Sequence, residues 1–356
     1  MPNEELYAVI MAGGTGTRFW PASKRSRPKQ FMPIAGGTSM IAATAERLEG
    51  LVNLKNVLVV TSGDLAPLVH ECLPDLAEEN ILVEPVGRNT APCVALAALE
   101  IERRSPDSVH IVLPADHVIE PASRFRSSLV AAAQEARRAG QLVTLGIRPT
   151  FPATGYGYIE VGERLAQHGE FAAHSVKRFV EKPKLERATE FVESENYLWN
   201  AGIFVWETKT VLEALRQHAA EILEPLERAG RATDLEDIYP KLPALPVDTA
   251  VMEQALNRSV LPIDYGWSDV GSWPSLADVA QADGANNCTA GGGQLLAEEA
   301  RGNIVYGEDG TLTALIGVED LVVVRAGKTV LVCPKDRAQD VKLVVERLKR
   351  EGPQFL

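Results

Sequence analysis

Residues 7–18 read YAVIMAGGTGTR, a short apolar run followed at once by a loop with three glycines and an arginine. The run is continuously apolar rather than alternating, which is typical of a strand buried on both faces of a parallel sheet. The glycines let backbone amides approach a ligand closely, and such amides at the carboxyl end of a buried strand form an anion-binding site. Arg18 and the later Lys29 add cations for phosphate oxygens. The stretch therefore predicts a phosphate-binding loop on an α/β sheet.

Two common phosphate motifs do not account for this loop. A P-loop requires G-x-x-x-x-G-K-S/T, and no Gly-Lys-Ser/Thr follows the apolar run. A dinucleotide fingerprint requires G-x-G-x-x-G, but Phe19 stands where its last glycine belongs. An NAD(P)-dependent oxidoreductase is therefore disfavoured, and the loop is expected to hold phosphates in another way.

Apolar runs and helical stretches alternate through the first part of the chain. We expect strands at 7–11, 57–61, 81–84, 110–113 and 142–146. We expect helices between them at 40–49, 65–76, 91–104 and 125–139. Buried strands that alternate with helices indicate βαβ units. The expected fold class is α/β, with a doubly wound, mostly parallel, Rossmann-like sheet.

The pattern changes twice after this region. Residues 151–275 contain short aromatic strands at 157–161 and 202–206 and helices at 209–218 and 250–257, which we interpret as insertions into the same sheet that form a lid over its carboxyl edge. Residues 282–293 read ADGANNCTAGGG, a composition typical of a turn-rich linker. After it we expect a β-helix-like module with strands at 302–306, 312–316, 321–325 and 329–333. A terminal helix is expected at 338–349. We thus predict two domains, 1–281 and 282–356.

Composition narrows the classes of function. The chain has 36 Lys and Arg against 48 Asp and Glu, and its net charge of −12 has the wrong sign for a nucleic-acid binder. No apolar run reaches the roughly 20 residues that span a bilayer, and the first residues, MPNEE, are acidic, unlike a signal peptide. The four cysteines form no C-x-x-C pair, so we expect reduced thiols. We expect a cytoplasmic protein that binds neither nucleic acid nor membrane.

The pattern G-G-x-G-x-R of residues 13–18, with Pro28 and Lys29 downstream, resembles the signature of the sugar-1-phosphate nucleotidyltransferases. The fuller run, residues 11–23 together with 28–31, is similar to the mannose-1-phosphate guanylyltransferase branch of that family. The resemblance implies transfer of GMP from GTP to α-D-mannose 1-phosphate, which yields GDP-mannose and pyrophosphate. It extends from residue 7 to about residue 274, and more weakly through the C-terminal strands.

The resemblance assigns the nucleotide to two loops. Arg18 and Lys29 would contact the triphosphate and act in catalysis. The glycine-rich loop would bind the nucleotide through Ala12, Gly13, Gly14, Thr15, Gly16 and Thr17. The segment after the third strand would cradle the purine through Glu84, Pro85, Gly87, Arg88, Asn89 and Thr90. Taken by itself, Thr90 is also a candidate N-cap of the following helix.

The resemblance also assigns a metal site and a sugar-phosphate site. Asp116 follows the fourth strand and Asp269 lies in the run GWSDVGSW, and both carboxylates would hold one Mg²⁺, which prefers hard oxygen ligands. Lys182 would hold the attacking phosphate as a third catalytic residue. The residues expected to bind the sugar phosphate are Gly155, Tyr156, Glu181, Lys182 and Asn200.

Several alternatives stay open on the sequence. An enzyme that uses glucose 1-phosphate or another nucleoside triphosphate would share the same core, and a non-catalytic homologue could bind GDP-mannose and regulate a partner. The intact cations and carboxylates argue against the regulatory alternative, because a sensor needs no metal ligands. The resemblance implies a homodimer, yet the apolar C-terminal strands can bury against either the main domain or a second subunit. We expect no appended phosphomannose isomerase domain and no isomerase activity.

Overall fold

The computed structural model describes residues 5–14, 16–34, 37–229 and 232–356, so Thr15 of the predicted nucleotide loop lies outside the described residues. The strands of its first part are β1 (Leu6–Met11), β2 (Val57–Ser62), β3 (Ile81–Glu84), β4 (Val109–Pro114), β5 (Val118–Glu120), β6 (Leu142–Ile147), β7 (Tyr158–His168), β8 (Phe171–Val180), β9 (Tyr197–Glu207), β10 (Arg258–Ile263) and β11 (Gly266–Ser268). The five strands expected before residue 150 all exist, with ends that differ by one residue or none.

Within the described residues, nine of these strands form one sheet in the order β3-β2-β1-β4-β9-β6-β10-β8-β7. β1 pairs in parallel with β2 and β4, β2 with β3, and β6 with β10. β8 and β9 are antiparallel to every strand beside them, and they alone among the nine point against the rest. β5 and β11 form a separate antiparallel ribbon. The predicted mostly parallel sheet is confirmed.

Helices cover both faces of the sheet. The helices are α1 (Met40–Glu46), α2 (Ala66–Cys72), α3 (Thr90–Arg104), α4 (Ala122–Ala139), α5 (Leu185–Glu193), α6 (Thr208–His218), α7 (Ala220–Arg228), α8 (Ala232–Ile238) and α9 (Val341–Glu351), of which α9 packs with the C-terminal strands instead. Ala8 and Ile10 of β1 pack in one core with side chains of α1, α2 and α4, whereas Tyr7 and Val9 pack in a second core with α3, α6 and α7. Burial on both faces is what the continuous apolar run predicted. No helix in the described part of the chain is long and apolar enough to cross a membrane.

The region after residue 150 is part of the same sheet, as expected, but one helix was predicted wrongly. In place of a helix at 250–257, Asp248–Met252 form a single π-helical turn, and β10 begins shortly afterwards. β10 lies in the interior of the sheet between β6 and β8, and its Val260 and Leu261 are fully buried. The parallel ladder to β6 ends the helical turn early, because it places the following residues in extended backbone.

The C-terminal part is a small β-helix-like module. Its strands are β12 (Cys288–Ala290), β13 (Gln294–Glu298), β14 (Ile304–Gly307), β15 (Leu312–Ile316), β16 (Leu321–Ala326) and β17 (Thr329–Pro334). β12, β14 and β16 stack in parallel, as do β13 and β15. The linker predicted at 282–293 was wrong in part, because β12 lies within it. Asn287 and Asn303 stabilise the stacked turns: the Asn303 amide donates to Asn287 Oδ1 at 2.9 Å.

This module packs on its own chain. Phe19 and Trp20, which follow the glycine-rich loop, share a buried cluster with Trp273, Ile304 and Val345. The Trp20 indole N–H donates to the carbonyl of Phe355 at 2.8 Å. The C-terminal strands and α9 therefore support the segment that carries Arg18. All four cysteines are free thiols, as expected.

Candidate active site

The glycine-rich loop leaves the carboxyl end of β1 and turns back at Gly16. Gly16 has a φ of +56°, and an added Cβ would lie 2.9 Å from the backbone nitrogen of Lys29, so only glycine fits there. The Gln30 amide donates to the carbonyl of Ala12 at 3.1 Å and so ties the loop to the segment that carries Lys29. An added Cβ at Gly13 or Gly14 would meet no atom within 4 Å, so the loop's outer surface is open to a ligand.

Lys29 is the cation at the centre of the site. Only 4% of the residue is exposed, and its ammonium group donates to Asp116 Oδ2 at 3.0 Å and to the carbonyl of Asp269 at 2.7 Å. The ammonium also lies 5.5 Å from the centroid of the Phe19 ring. Three segments that are remote in sequence therefore meet at one buried charge.

The two carboxylates predicted to bind metal face the same cavity. Arg18, Lys29, Asp116 and Asp269 all line a cavity of about 260 Å³, and Arg18 is exposed at its edge. Burial acts to raise the pKa of Asp116, but the Lys29 ammonium and His117 outweigh it and lower that pKa below its usual value. Asp116 therefore carries a negative charge at neutral pH. Two carboxylates together with substrate phosphates are the kind of hard donor set that suits Mg²⁺.

Asp269 is oriented by two hydrogen bonds to Oδ1. The Tyr156 hydroxyl donates to it at 2.8 Å and the Gly271 amide donates at 3.0 Å. Burial, and then the charge of Asp269, raise the pKa of Tyr156, so the phenol keeps its proton and stays a donor. Tyr156 was predicted to contact the sugar phosphate; the structure places its hydroxyl on the predicted metal ligand.

The predicted sugar-phosphate residues form a second group at the ends of β8 and β9. Lys182 has a left-handed backbone (φ 43°), and its side chain, 62% exposed, donates to Glu181 Oε1 at 2.6 Å. Gly155 has open space around it. The close approach occurs instead at Gly157, where an added Cβ would lie 2.7 Å from Glu181 Oε2. Sequence reasoning did not single out Gly157 as the crowded glycine.

Asn200 on β9 is held by three groups. Its Oδ1 accepts from the Thr144 hydroxyl at 3.0 Å and from the Gly202 amide at 3.2 Å, and its Nδ2 donates to Asp248 Oδ1 at 2.7 Å. Burial, followed by repulsion from Glu181, raises the pKa of Asp248 to about 6. Asp248 was not among the predicted site residues. In the sequence, Asp248 is recognisable only as a carboxylate two residues before the apolar run AVM, residues 250–252.

The predicted purine loop is anchored to the segment that precedes Asp248. The Val247 amide donates to Thr90 Oγ1 at 2.8 Å, and the Ala91 amide donates to the carbonyl of Leu245 at 3.0 Å. Thr90 is therefore not the N-cap of α3. Asn89 fills that position with a positive φ, and its Oδ1 accepts from the Thr90 amide at 2.9 Å.

The other residues of the purine loop differ in accessibility. Gly87 is exposed, with open space where a Cβ would stand, and Pro85 and Arg88 are half-buried. Glu84 is buried and accepts a hydrogen bond from the Tyr239 hydroxyl. Burial raises the pKa of Glu84 to about 7, although the Tyr239 hydrogen bond acts in the opposite direction. Within this loop the open surface is therefore at Val86, Gly87 and Asn89, while Glu84 contacts Tyr239.

Comparison with known proteins gives consistent relatives. The chain matches the nucleotidyl transferase family over residues 7–286 and the MannoseP isomerase/GMP-like beta-helix domain over residues 293–348. It is 41% identical over 364 residues to a mannose-1-phosphate guanylyltransferase of Escherichia coli, covering 99% of this chain and 75% of that protein. It is 39% identical over 357 residues to the alginate biosynthesis protein AlgA of Pseudomonas aeruginosa, covering 98% and 73%. A crystal structure described as mannose-1-phosphate geranyltransferase from Thermus thermophilus superposes with a TM-score of 0.89 at 37% identity, covering 97% and 99% of the two chains.

Proposed function

This chain belongs to the mannose-1-phosphate guanylyltransferases of the nucleotidyl transferase family, and we propose that it transfers GMP from GTP to α-D-mannose 1-phosphate and releases pyrophosphate. The observation that carries the proposal is the meeting of Lys29, Asp116 and Asp269 at the open end of the glycine-rich loop. A buried cation that contacts the Asp116 carboxylate and the Asp269 carbonyl, next to a glycine-rich loop, suits a triphosphate better than a neutral ligand.

The reaction requires the protein to position the substrates and to neutralise their charge, and it does not require a strong base. A phosphate oxygen of the sugar is already anionic when it attacks the α-phosphorus, and the bond from that phosphorus to the pyrophosphate oxygen breaks. Arg18 and Lys29 hold the triphosphate, Lys182 holds the attacking phosphate, and together they offset the repulsion between two anions. When bound, a divalent cation such as Mg²⁺ would neutralise phosphate charge, and Asp116 and Asp269 would hold it.

Specificity is assigned to two surfaces. The open backbone at Gly87, on the loop that ends at Thr90, faces the purine. Glu181 and Asn200 bind sugar hydroxyls, since a carboxylate and an amide accept and donate the hydrogen bonds that hydroxyls need. The order of strands supports this assignment: β3, before the purine loop, and β8, before Glu181, lie on opposite sides of β1 and β4. β1 and β4 precede the glycine-rich loop and Asp116, so the reacting phosphates would lie between base and sugar.

We further propose a homodimer formed by the C-terminal module. Its strands carry apolar side chains that are between 53% and 76% exposed: Leu296, Ile316, Val330 and Val332. Exposed apolar strands are prone to association, so a second subunit would cover these side chains. Ile316→Asp should give a monomer in light scattering. Leu256→Asp, at an exposed leucine outside the module, is the matched control and should leave the mass unchanged. A monomeric parent protein would refute the dimer.

The proposed reaction is tested by pyrophosphate release from the purified protein with Mg²⁺. Four nucleoside triphosphates are crossed with mannose 1-phosphate and glucose 1-phosphate. Release confined to GTP with mannose 1-phosphate is the expected result. Release with another pair would keep the reaction and overturn the specificity. Silence in every combination, with GDP-mannose still bound, would overturn catalysis in favour of a regulatory binding protein.

A further inference from the structure

The Asn200 side chain has only one orientation that satisfies its neighbours. Its oxygen faces the Gly202 amide, which can only donate, and the Thr144 hydroxyl, which is also within reach of the Ile203 carbonyl. Its nitrogen faces the Asp248 carboxylate. A flipped amide would place N–H against N–H and oxygen against carboxylate. An amide nitrogen has two hydrogens: one is used by Asp248, and among the described residues the second has no hydrogen-bond partner.

Asp248 is itself fixed from both sides. Its carbonyl accepts from the Glu253 amide at 2.8 Å within the π-helical turn, a backbone form often found at functional sites. On the other side, residues 245–247 are hydrogen-bonded to Thr90 and Ala91 of the predicted purine loop. The carboxylate that orients Asn200 therefore belongs to a short segment, the strap (residues 245–248). The strap connects the predicted purine loop to the residues predicted to bind the sugar phosphate.

The charges around Asp248 fit a sugar better than a phosphate. Glu181 lies close enough to repel it, and Glu253 in turn lies close to Glu181, while Lys182 is the cation that acts on the group. Carboxylate oxygens thus cluster around Asp248, which suits the hydroxyls of a sugar, and the Lys182 ammonium nearby suits its phosphate. Hydroxyl groups can donate to such oxygens without carrying charge.

We propose that Asp248 is a positioning residue for the sugar phosphate, acting by holding the Asn200 amide with its free N–H toward the sugar. The proposal rests on the proposed function, because it assumes that Asn200 contacts the sugar. In this proposal the strap 245–248 fixes the position of Asn200 relative to the predicted purine loop.

The test is steady-state kinetics with each substrate varied in turn. Asp248→Leu keeps the side-chain size but removes the acceptor, and it should raise the KM for mannose 1-phosphate roughly ten- to hundredfold, the effect of losing one hydrogen bond to a charged group. The KM for GTP should stay within about twofold. Asp248→Asn keeps an acceptor oxygen for Asn200 and should restore the KM for mannose 1-phosphate to within a few-fold of the parent value.

Glu135→Gln is the matched control, since Glu135 is a fully buried carboxyl that contacts Arg138 and His168 away from the site. It should change neither KM. Asp248→Leu with a normal KM for mannose 1-phosphate would overturn the proposal, as would an equal rise in both KM values. An inactive parent protein would instead refute the proposed function, so the two failures are distinguishable.

Discussion

The two lysines assigned to phosphates lie in opposite surroundings. The Lys29 side chain is 5% exposed and contacts groups from two segments far along the chain, whereas the Lys182 side chain is 62% exposed and contacts the neighbouring Glu181. Lys29 is thus held by contacts within the protein, whereas the Lys182 ammonium is held by an exposed ion pair. Preorganised charge contributes most where charge develops in the transition state, so we propose that Lys29 acts mainly in catalysis and Lys182 mainly in binding the attacking phosphate.

Removing a carboxylate beside Lys29 should give the largest effect. Asp269→Ala should fold but lose turnover by about 10³-fold or more, because the metal would keep a single carboxylate ligand. Pyrophosphate release measures turnover, and thermal unfolding checks the fold. Asp264→Ala, at an exposed carboxylate paired with Arg124, is the control and should be nearly as active as the parent. An active Asp269→Ala protein would refute the ligand assignment.

Lys29→Met should lower kcat by about 10²- to 10³-fold with a smaller change in the KM for mannose 1-phosphate. It should also lower the free energy of unfolding by about 1–2 kcal/mol, since Asp116 loses its partner but remains partly exposed. Urea denaturation measures this change. Loss of stability with unchanged kcat would show that Lys29 is purely structural.

Unlike Lys29, the buried Glu84 carboxyl is paired with a phenol, Tyr239, and not with an opposite charge. Its pKa is raised from 4.5 to about 7, so between these pH values the folded protein binds more protons than the unfolded chain, and stability falls as the pH rises. Glu84→Gln stays neutral and keeps an acceptor for Tyr239. Relative to the parent, it should gain about 2–4 kcal/mol between pH 5 and pH 8 in urea unfolding. A constant difference across that range would contradict the raised pKa.

Lys182→Met should have the smallest effect. We expect the KM for mannose 1-phosphate to rise about tenfold to hundredfold, with the KM for GTP and the free energy of unfolding almost unchanged, since an exposed ion pair contributes less than about 1 kcal/mol. Lys184→Met, two residues away, is the control. A fall in kcat as deep as that of Lys29→Met would show that both cations act in the transition state.

Sequence patterns predicted those elements whose formation depends on residues close together in the chain. The apolar run of β1 and its glycine-rich loop were recognisable because residues 7–18 alone show both the buried strand and the flexible backbone. β12 was hidden in a glycine-rich stretch because its pairing partner, β14, lies beyond the next turn. Asp248 was hidden because its role depends on β9, to which only the folded sheet brings it. Long-range pairing thus decided the elements that the sequence did not reveal.

The hydrogen bond from the Trp20 indole to the Phe355 carbonyl makes residue 355 a spatial neighbour of the segment that carries Arg18. A fluorescent probe attached at Leu356 would therefore lie close to that segment. We expect its emission to change when a triphosphate binds, so that this position can serve to follow nucleotide binding by fluorescence.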